Sequence, residues 1–296
     1  MHAHRSSSSL FAACILAGIV GTSLPAQSKA QDALPITSGQ KIAFLGDSIT
    51  QAGQSNASGY CKLVIRGLAA VGVKAELIGA GVSGHKSNQM LKRLERDVLT
   101  KNPDWMTLSC GVNDVWHGEG GVQLPDYKKN ITAIVDRAQA NGIKVMILTS
   151  TMITENADDE RNVRLATYNA FLKQLATEKK CLFADLNGAM QTALVPSAKM
   201  PGGKQLTSDG VHMNARGNIM MAKGVLRAFG LSDQQLAKIT MDFDTMPNSA
   251  QVRPNVRMNA KQLQELQMAA GKLGLSVDQL IQRIVDDGVK RILSGN

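Results

Sequence analysis

Short apolar runs alternate with longer helical stretches along most of the chain, and this alternation constrains the fold more than any other feature. The apolar runs predict five buried strands, at 41–46, 74–78, 104–110, 143–148 and 181–185. The stretches with helical spacing of apolar residues are 60–71, 87–99, 125–140, 163–178 and 215–229. Strands and helices in turn predict right-handed βαβ units. We therefore expect an α/β protein with a parallel sheet covered on both faces.

The first predicted strand ends in Gly46-Asp47-Ser48. Ligands of open α/β sheets bind just beyond the carboxyl ends of the strands, so Ser48 is expected at the mouth of a cleft. A serine there is a candidate nucleophile if a base and an orienting acid lie elsewhere in the chain. The alternative is a helix cap, because Ser and Asp are common where a strand gives way to a helix. Residues 51–59 are rich in Gly, Ser and Asn and predict a loop.

A second polar motif, Asp209-Gly210-Val211-His212, places an acid three residues before a histidine. At that spacing a carboxylate can hold the Nδ1–H of the imidazole and leave Nε2 free to accept a proton from a serine. The alternative is a helix start capped by Asp209 or Asn214.

Two further segments supply hydrogen-bond donors at predicted strand ends. Gly81-Val82-Ser83-Gly84 follows the second strand, and Gly111-Val112-Asn113-Asp114 follows the third. The backbone N–H of a glycine and the amide of Asn113 suit an oxyanion formed by attack on an ester carbonyl. Each segment, taken alone, is also compatible with a simple turn.

Together these four segments resemble the SGNH hydrolases, also called GDSL esterases. The matching blocks are 46–50, the glycine block ending at Ser83-Gly84, 111–114 and 209–212, and the resemblance spans about residues 40–230. It implies a flavodoxin-like three-layer α/β/α sandwich with a five-stranded parallel sheet. It also implies acyl-ester hydrolysis without a cofactor or a metal. His85 departs from the pattern, because many members have an aspartate after the glycine.

The resemblance assigns a role to each matching residue. Ser48 is the nucleophile, His212 the base and Asp209 its orienting acid. The oxyanion hole consists of the backbone N–H groups of Ser48 and Gly84 and the amide of Asn113. The expected function is an exported serine esterase that removes small O-acyl groups, with acetylated carbohydrate as the first substrate class. The alternatives are an enzyme of the same family that cleaves lysophospholipids or thioesters, and a non-catalytic carbohydrate-binding or interaction protein.

Two other classes of protein fit parts of the same motifs. Residues 79–84 match the dinucleotide pattern G-x-G-x-x-G, but the next strand ends in Leu108-Ser109-Cys110 without the acid that would hold a ribose. A metal-dependent hydrolase would draw on Asp47, His85, His117 and Asp209. No His-x-His or His-Glu-x-x-His pattern supports such a site.

The first 30 residues have the pattern of a secretory signal peptide, with an apolar run from 10 to 20 and small residues before position 31. This predicts a secreted or periplasmic protein with no stable membrane anchor. The formal charge is +9, and loss of Arg5 and Lys29 leaves +7. That charge is spread along the chain, so nucleic acid is not an expected partner. Cys61, Cys110 and Cys181 remain after cleavage, and we expect buried free thiols.

The hydrolase domain is predicted at 38–232, followed by a linker at 241–254 and a tail at 255–296. Residues 255–259 predict a short strand, and two amphipathic helices follow, the second opened by a capping box at Ser276. This strand-helix-helix order weakly resembles a ribbon-helix-helix module, which implies dimerisation. The tail is thus a candidate for a homodimer interface. A helical hairpin packed on the hydrolase domain or loosely tethered is the alternative.

Overall fold

The computed structural model describes residues 2, 33–194, 204–246, 256 and 258–295. Its strands are β1 (Lys41–Gly46), β2 (Glu76–Gly81), β3 (Trp105–Ser109), β4 (Lys144–Leu148) and β5 (Leu182–Ala184). Its α-helices are α1 (Ser48–Ser55), α2 (Tyr60–Ala70), α3 (Ser87–Asp97), α4 (Val112–Trp116), α5 (Leu124–Ala140), α6 (Glu160–Glu178), α7 (Leu186–Ala193), α8 (Ala215–Ala228), α9 (Asp233–Asp244), α10 (Ala260–Lys272) and α11 (Val277–Ser294).

The five strands form one parallel sheet in the order β2-β1-β3-β4-β5, which confirms the α/β prediction. In the register, Gly46 pairs with Gly81 of β2, and Leu45 pairs with Leu108 of β3. The strand order reverses at β1, because β2 lies on one side of it and β3 on the other. The site is expected at this switch point, beyond the carboxyl ends of these three strands.

Helices cover both faces of the sheet. Right-handed crossovers place helices on opposite faces when the strand order runs in opposite directions. On one side α2 packs against α8, which also contacts α7 and α9; on the other, α3 packs against α5, which contacts α6. Every residue of β3 is buried, as expected for a strand between two helix layers. These layers are the predicted three-layer sandwich.

The structure differs from the sequence prediction at the residues after Ser48. Helix α1 occupies much of the predicted loop at 51–59. The Asp47 side chain caps the helix by accepting a hydrogen bond from the backbone N–H of Ile49, and Ile49, Thr50 and Gly53 are buried. A cap and three inward-facing residues thus outweigh a composition that favours a loop. Strand β2 also runs later than predicted, ending at Gly81.

The hydrolase core continues past the predicted boundary at 232. Helix α9 starts with a capping box at Ser232, and its residues Leu236, Ile239 and Phe243 belong to the main hydrophobic core. The helix ends at Asp244, so the first residues of the predicted linker at 241–254 are helical and partly buried. The prediction missed α9, although Leu236, Ile239 and Phe243 recur at helical spacing.

The tail contains the two predicted helices, α10 and α11, each opened by a capping box. Val256, Met258 and Asn259, the described residues of the predicted strand, are not in a strand. Ala270 and Leu280 are buried but lie outside the main hydrophobic core of the hydrolase domain. The predicted signal peptide lies outside the described residues, apart from His2. None of the helices in the described part of the chain has the length and apolar character to span a bilayer.

Candidate active site

Ser48 lies where β1 gives way to α1, as the first residue of that helix. Its Oγ is 2.9 Å from Nε2 of His212, a residue 164 positions further along the chain. The N-terminus of a helix carries a partial positive charge, which stabilises negative charge forming beside it. The fold therefore brings the serine, a histidine and the positive end of α1 to one place.

Asp209 orients the histidine. Its Oδ2 is 2.6 Å from Nδ1 of His212, and its Oδ1 accepts hydrogen bonds from the backbone N–H groups of Val211 and His212. Burial raises the pKa of Asp209, but the hydrogen bonds from His212 and Val211 outweigh it and lower that pKa to about 2. An ionised Asp209 holds the proton of the imidazole on Nδ1, which leaves Nε2 as an acceptor for the Ser48 hydroxyl.

The loop that carries Asp209 and His212 is held by Glu155, which follows β4. The Glu155 carboxylate accepts hydrogen bonds from the backbone N–H groups of residues 205, 206 and 207 and from the Thr207 hydroxyl, at 2.6–2.8 Å. The backbone N–H of Thr154 donates to the carbonyl of Gly210 at 2.7 Å. Burial raises the pKa of Glu155, but these four hydrogen bonds lower it overall. The polar loop after β4 thus fixes the histidine loop.

Three donors surround the space beside Ser48. Gly84 has a φ of +74°, a left-handed conformation that L side chains rarely adopt. Within the described ranges, the backbone N–H groups of Ser48 and Gly84 donate no hydrogen bond. The Nδ2 of Asn113 lies 3.3 Å from Oδ2 of Asp47 and 3.3 Å from the carbonyl of His85. These three groups can therefore donate hydrogen bonds to an oxygen atom of a bound ligand.

Asp47 is buried directly beneath this space. Burial raises its pKa to about 6, against the hydrogen bond from Ile49, and the neighbouring Asp114 adds to the rise. Burial also raises the pKa of Asp114, which accepts hydrogen bonds from the backbone N–H and the hydroxyl of Ser87. Through their hydrogen bonds, Asp47 connects the first turn of α1 to α4, and Asp114 connects α4 to the start of α3. The sequence offered Asp47 only as a ligand of the alternative metal site and assigned no role to Asp114.

All five residues predicted from the sequence line one cavity of about 500 Å³. This volume is in the range of small-molecule sites, about 300–1,000 Å³. The lining residues are Ser48, Ser83, Gly84, Val112, Asn113, Trp116, His117, Asp209, Val211 and His212.

The structure also places the histidines whose roles the sequence left open. His117 lines the cavity and is exposed. His85 does not line it; its Nδ1 accepts a hydrogen bond from Nε of Arg93 at 3.1 Å. Burial and the Arg93 charge lower the pKa of His85. Arg93 also donates to the carbonyls of Gly46 and Ala80, at the ends of β1 and β2, and so braces the sheet below the site.

The structure also places the residues on which the alternative chemistries would depend. In the described part of the chain, no three His, Cys, Asp or Glu side chains gather in a way that could hold a metal ion. The G-x-G-x-x-G segment ends at Gly84, which lines the same cavity as Ser48 and His212. Cys61, Cys110 and Cys181 are free; the first two are buried, as predicted, whereas Cys181 is only half-buried.

Serine, histidine and aspartate in hydrogen-bonded series at the strand ends of a parallel α/β/α sandwich form an arrangement typical of serine hydrolases. Comparison with known proteins agrees. The sequence profile of the GDSL-like lipase/acylhydrolase family matches residues 44–218. The chain therefore belongs to this family, the SGNH hydrolases, and is a carboxylic ester hydrolase. The resemblance inferred from the four blocks is confirmed.

Characterised relatives include an acetylxylan esterase from Geobacillus stearothermophilus, 28% identical over 67% of this chain and 97% of that protein. Its crystal structure matches with a TM-score of 0.60. The acetyl xylan esterase AlAXEase is 34% identical over 64% of this chain and 98% of its own, with a TM-score of 0.59. Esterase TesA of Pseudomonas aeruginosa is 30% identical over 37% of this chain and 53% of its own. Solved structures of the Geobacillus enzyme include catalytic mutants in which a serine, an aspartate or a histidine is replaced by alanine.

Proposed function

We propose that this protein is a carbohydrate acetyl esterase that works through a Ser48-His212-Asp209 triad and an acyl-enzyme. One observation carries the proposal: Ser48 Oγ, the His212 ring and the Asp209 carboxylate form a continuous series, with separations of 2.9 and 2.6 Å, at the wall of a cavity. In the Geobacillus esterase the aspartate and histidine replaced in the catalytic mutants lie three positions apart, as Asp209 and His212 do here. That shared spacing supports the same division of roles.

In the acylation step, Ser48 Oγ attacks the carbonyl carbon of the bound acetyl ester while its proton passes to Nε2 of His212. The carbonyl π electrons move to oxygen. The resulting oxyanion accepts hydrogen bonds from the backbone N–H groups of Ser48 and Gly84 and from the amide of Asn113. As the tetrahedral intermediate collapses, the C–O bond to the sugar breaks and His212 returns the proton to the sugar oxygen. The products are an acetyl-Ser48 enzyme and a free sugar hydroxyl.

Deacylation repeats these steps with water as the nucleophile. Nε2 of His212 accepts a proton from the water as its oxygen attacks the acetyl carbonyl, and the same donors bind the oxyanion. Collapse breaks the bond to Ser48 Oγ, which takes the proton back from His212 and releases acetic acid. Asp209 stays ionised throughout, because its pKa of about 2 lies far below neutral pH. Its charge stabilises the imidazolium that forms twice in each cycle.

The substrate class follows from the relatives and from the size of the cavity. Two of the relatives that cover most of their own length on this chain are acetylxylan esterases. A cavity of about 500 Å³ suits an acetyl group with one or two sugar units. Lysophospholipase or thioesterase activity is the second candidate. The signal-peptide pattern in residues 1–30 supports export to the periplasm or the medium.

The test is a substrate series with one readout, acid release followed by pH-stat. Acetylated xylo-oligosaccharide is compared with p-nitrophenyl esters of increasing acyl length and with a lysophospholipid. We expect the highest kcat/KM on the acetylated sugar, a fall with acyl length, and no effect of EDTA. A maximum at long acyl chains would favour the lysophospholipase alternative. If the folded protein hydrolysed none of these esters, the result would favour the alternative of a non-catalytic binding protein with this fold.

A further inference from the structure

Trp116 is the last residue of α4, and it lines the catalytic cavity with 42% of its surface exposed. A large aromatic side chain in that position loses favourable burial unless something binds against it. The chain has two tryptophans, and the other, Trp105, is 3% exposed in the core. Trp116 is therefore the cavity residue with the largest apolar surface.

One face of the Trp116 ring is already covered. The guanidinium carbon of Arg161 lies 5.1 Å from the centre of the ring, in cation–π contact. Asp159 forms a bidentate ion pair with this guanidinium: its Oδ1 accepts from Nε of Arg161 at 2.9 Å, and its Oδ2 accepts from a terminal nitrogen at 2.7 Å. The hydrogen bonds from Arg161 lower the pKa of Asp159 to about 2, so the pair stays charged across the neutral range.

Asp159 is itself fixed, because it caps α6 by accepting a hydrogen bond from the backbone N–H of Arg161. A chain of contacts thus runs from the start of α6 through the guanidinium to the indole. The ring is held by Arg161 on one face, and Trp116 keeps 42% of its surface exposed. Holding an aromatic surface in place before a ligand arrives reduces the ordering cost of binding.

A flat, preoriented indole face suits one kind of ligand surface. Pyranose rings carry C–H groups on one side that pack against an aromatic face, while their hydroxyls stay hydrated. An acyl chain has no flat face of this kind and would need an enclosed apolar groove. Resting on the proposed function, we propose that the free face of Trp116 is the subsite for the sugar ring that carries the acetyl ester.

The alternative is that the Trp116–Arg161 contact only joins α4 to α6. The two hypotheses predict that substitution of Trp116 affects different substrates differently. A sugar subsite affects esters of sugars far more than esters that lack a ring, whereas a joining contact affects both alike. Ethyl acetate is the reference ester, because it has neither a sugar ring nor an aromatic ring that could stack on the indole.

The kinetic test measures kcat/KM on acetylated xylo-oligosaccharide and on ethyl acetate for the wild type, Trp116→Ala and Trp116→Phe. For Trp116→Ala we expect the ratio of sugar ester to ethyl acetate to fall at least about tenfold, mainly through KM. Trp116→Phe keeps an aromatic face and should recover part of the ratio. The control is Val163→Ala, an exposed residue on α6 that does not line the cavity, which should leave the ratio unchanged.

A binding measurement separates this proposal from the proposed function. In a Ser48→Ala background, unacetylated xylo-oligosaccharide is added while tryptophan fluorescence is followed. Trp105 is buried, so a saturable change reports on Trp116, and Trp116→Phe should abolish it. An unchanged selectivity ratio in Trp116→Ala, or the absence of any fluorescence change with sugar, would overturn the subsite. A wild type that hydrolyses ethyl acetate but not the acetylated sugar would instead refute the sugar esterase function.

Discussion

Asn113 holds its side-chain amide between two oxygen acceptors in the free enzyme. Its Nδ2 lies 3.3 Å from both the Asp47 carboxylate and the His85 carbonyl, at the long end for hydrogen bonds. An oxyanion forming beside Ser48 offers a stronger acceptor, because hydrogen bonds to a charged oxygen are shorter and stronger. The amide is therefore already close to the place where charge develops.

We predict that Asn113→Ala lowers kcat by about 10²–10³-fold, equivalent to some 2.7–4 kcal/mol, with little change in KM. The loss falls on kcat because the donor acts on charge that exists only in the transition state. Steady-state kinetics on a small acetyl ester measure both constants. Asn141→Ala, at an exposed helix end, is the control. A rise in KM alone would mean that Asn113 binds the substrate in its ground state.

The secondary-structure elements that carry the proposed catalytic residues are joined to one another by hydrogen bonds. Glu155 binds the backbone of residues 205–207, and Thr154 binds Gly210. The loop after β4 therefore sets the position of the imidazole relative to Ser48. Small displacements of a catalytic group are costly: about 1 Å can reduce a rate by around 10²-fold.

We predict that Glu155→Gln lowers kcat by about ten- to a hundredfold, because an amide cannot accept the hydrogen bonds that both carboxylate oxygens accept. Glu160→Gln, an exposed residue nearby, is the control. The pKa of Glu155 lies below its ordinary value of 4.5 in the folded state. Its contribution to stability is thus full above about pH 4.5 and lost as pH falls through the folded pKa.

Urea unfolding at several pH values tests the predicted pH dependence of the stability that Glu155 contributes. The difference in free energy of unfolding between wild type and Glu155→Gln should narrow as the pH falls below about 4.5. Full activity in the variant, or a difference that does not depend on pH, would show that Glu155 does not hold the histidine loop.

Elements with a strong apolar pattern were predictable from the sequence, and so were the residues at their ends. Ser48, Gly84 and Asn113 follow β1, β2 and β3, whose carboxyl ends must meet at one edge of a parallel sheet. Trp116 and Arg161 were not predictable as a pair. Their contact joins α4, a helix of only five residues, to the start of α6. Helix α1 was missed because its stability comes from the Asp47 cap and from three buried residues within a segment whose composition favours a loop.

In the whole molecule, the two tail helices α10 and α11 carry most of the large apolar side chains that are exposed among the described residues. Helix α11 leaves Ile284, Val289 and Ile292 exposed, and α10 leaves Leu263 and Met268 exposed. Two helices of this length rarely hold a core by themselves. Helix α11 has Asp278 in its first turn and Arg291 in its last. Antiparallel pairing with a second copy about a two-fold axis would bring these opposite charges together.

We therefore predict that the full mature chain is a dimer through α10 and α11, and that a chain ending at Met246 is a monomer that still hydrolyses small esters. The cut must follow Met246 because Leu236, Ile239 and Phe243 of α9 belong to the hydrolase core. A second chain ending at Ser232 is the control, and we expect it to lose stability. Light scattering of the full chain decides the question: a monomer would exclude the dimerisation role.

Ser48 is the proposed nucleophile, and the kcat of a folded Ser48→Ala variant tests this role. Ser83 lines the same cavity and provides the matched control. Circular dichroism first establishes that both variants are folded. We predict that Ser48→Ala loses at least roughly 10³-fold in kcat on acetylated xylo-oligosaccharide, while Ser83→Ala retains most of its rate. A folded Ser48→Ala enzyme with a rate near that of the wild type would show that Ser48 is not the nucleophile.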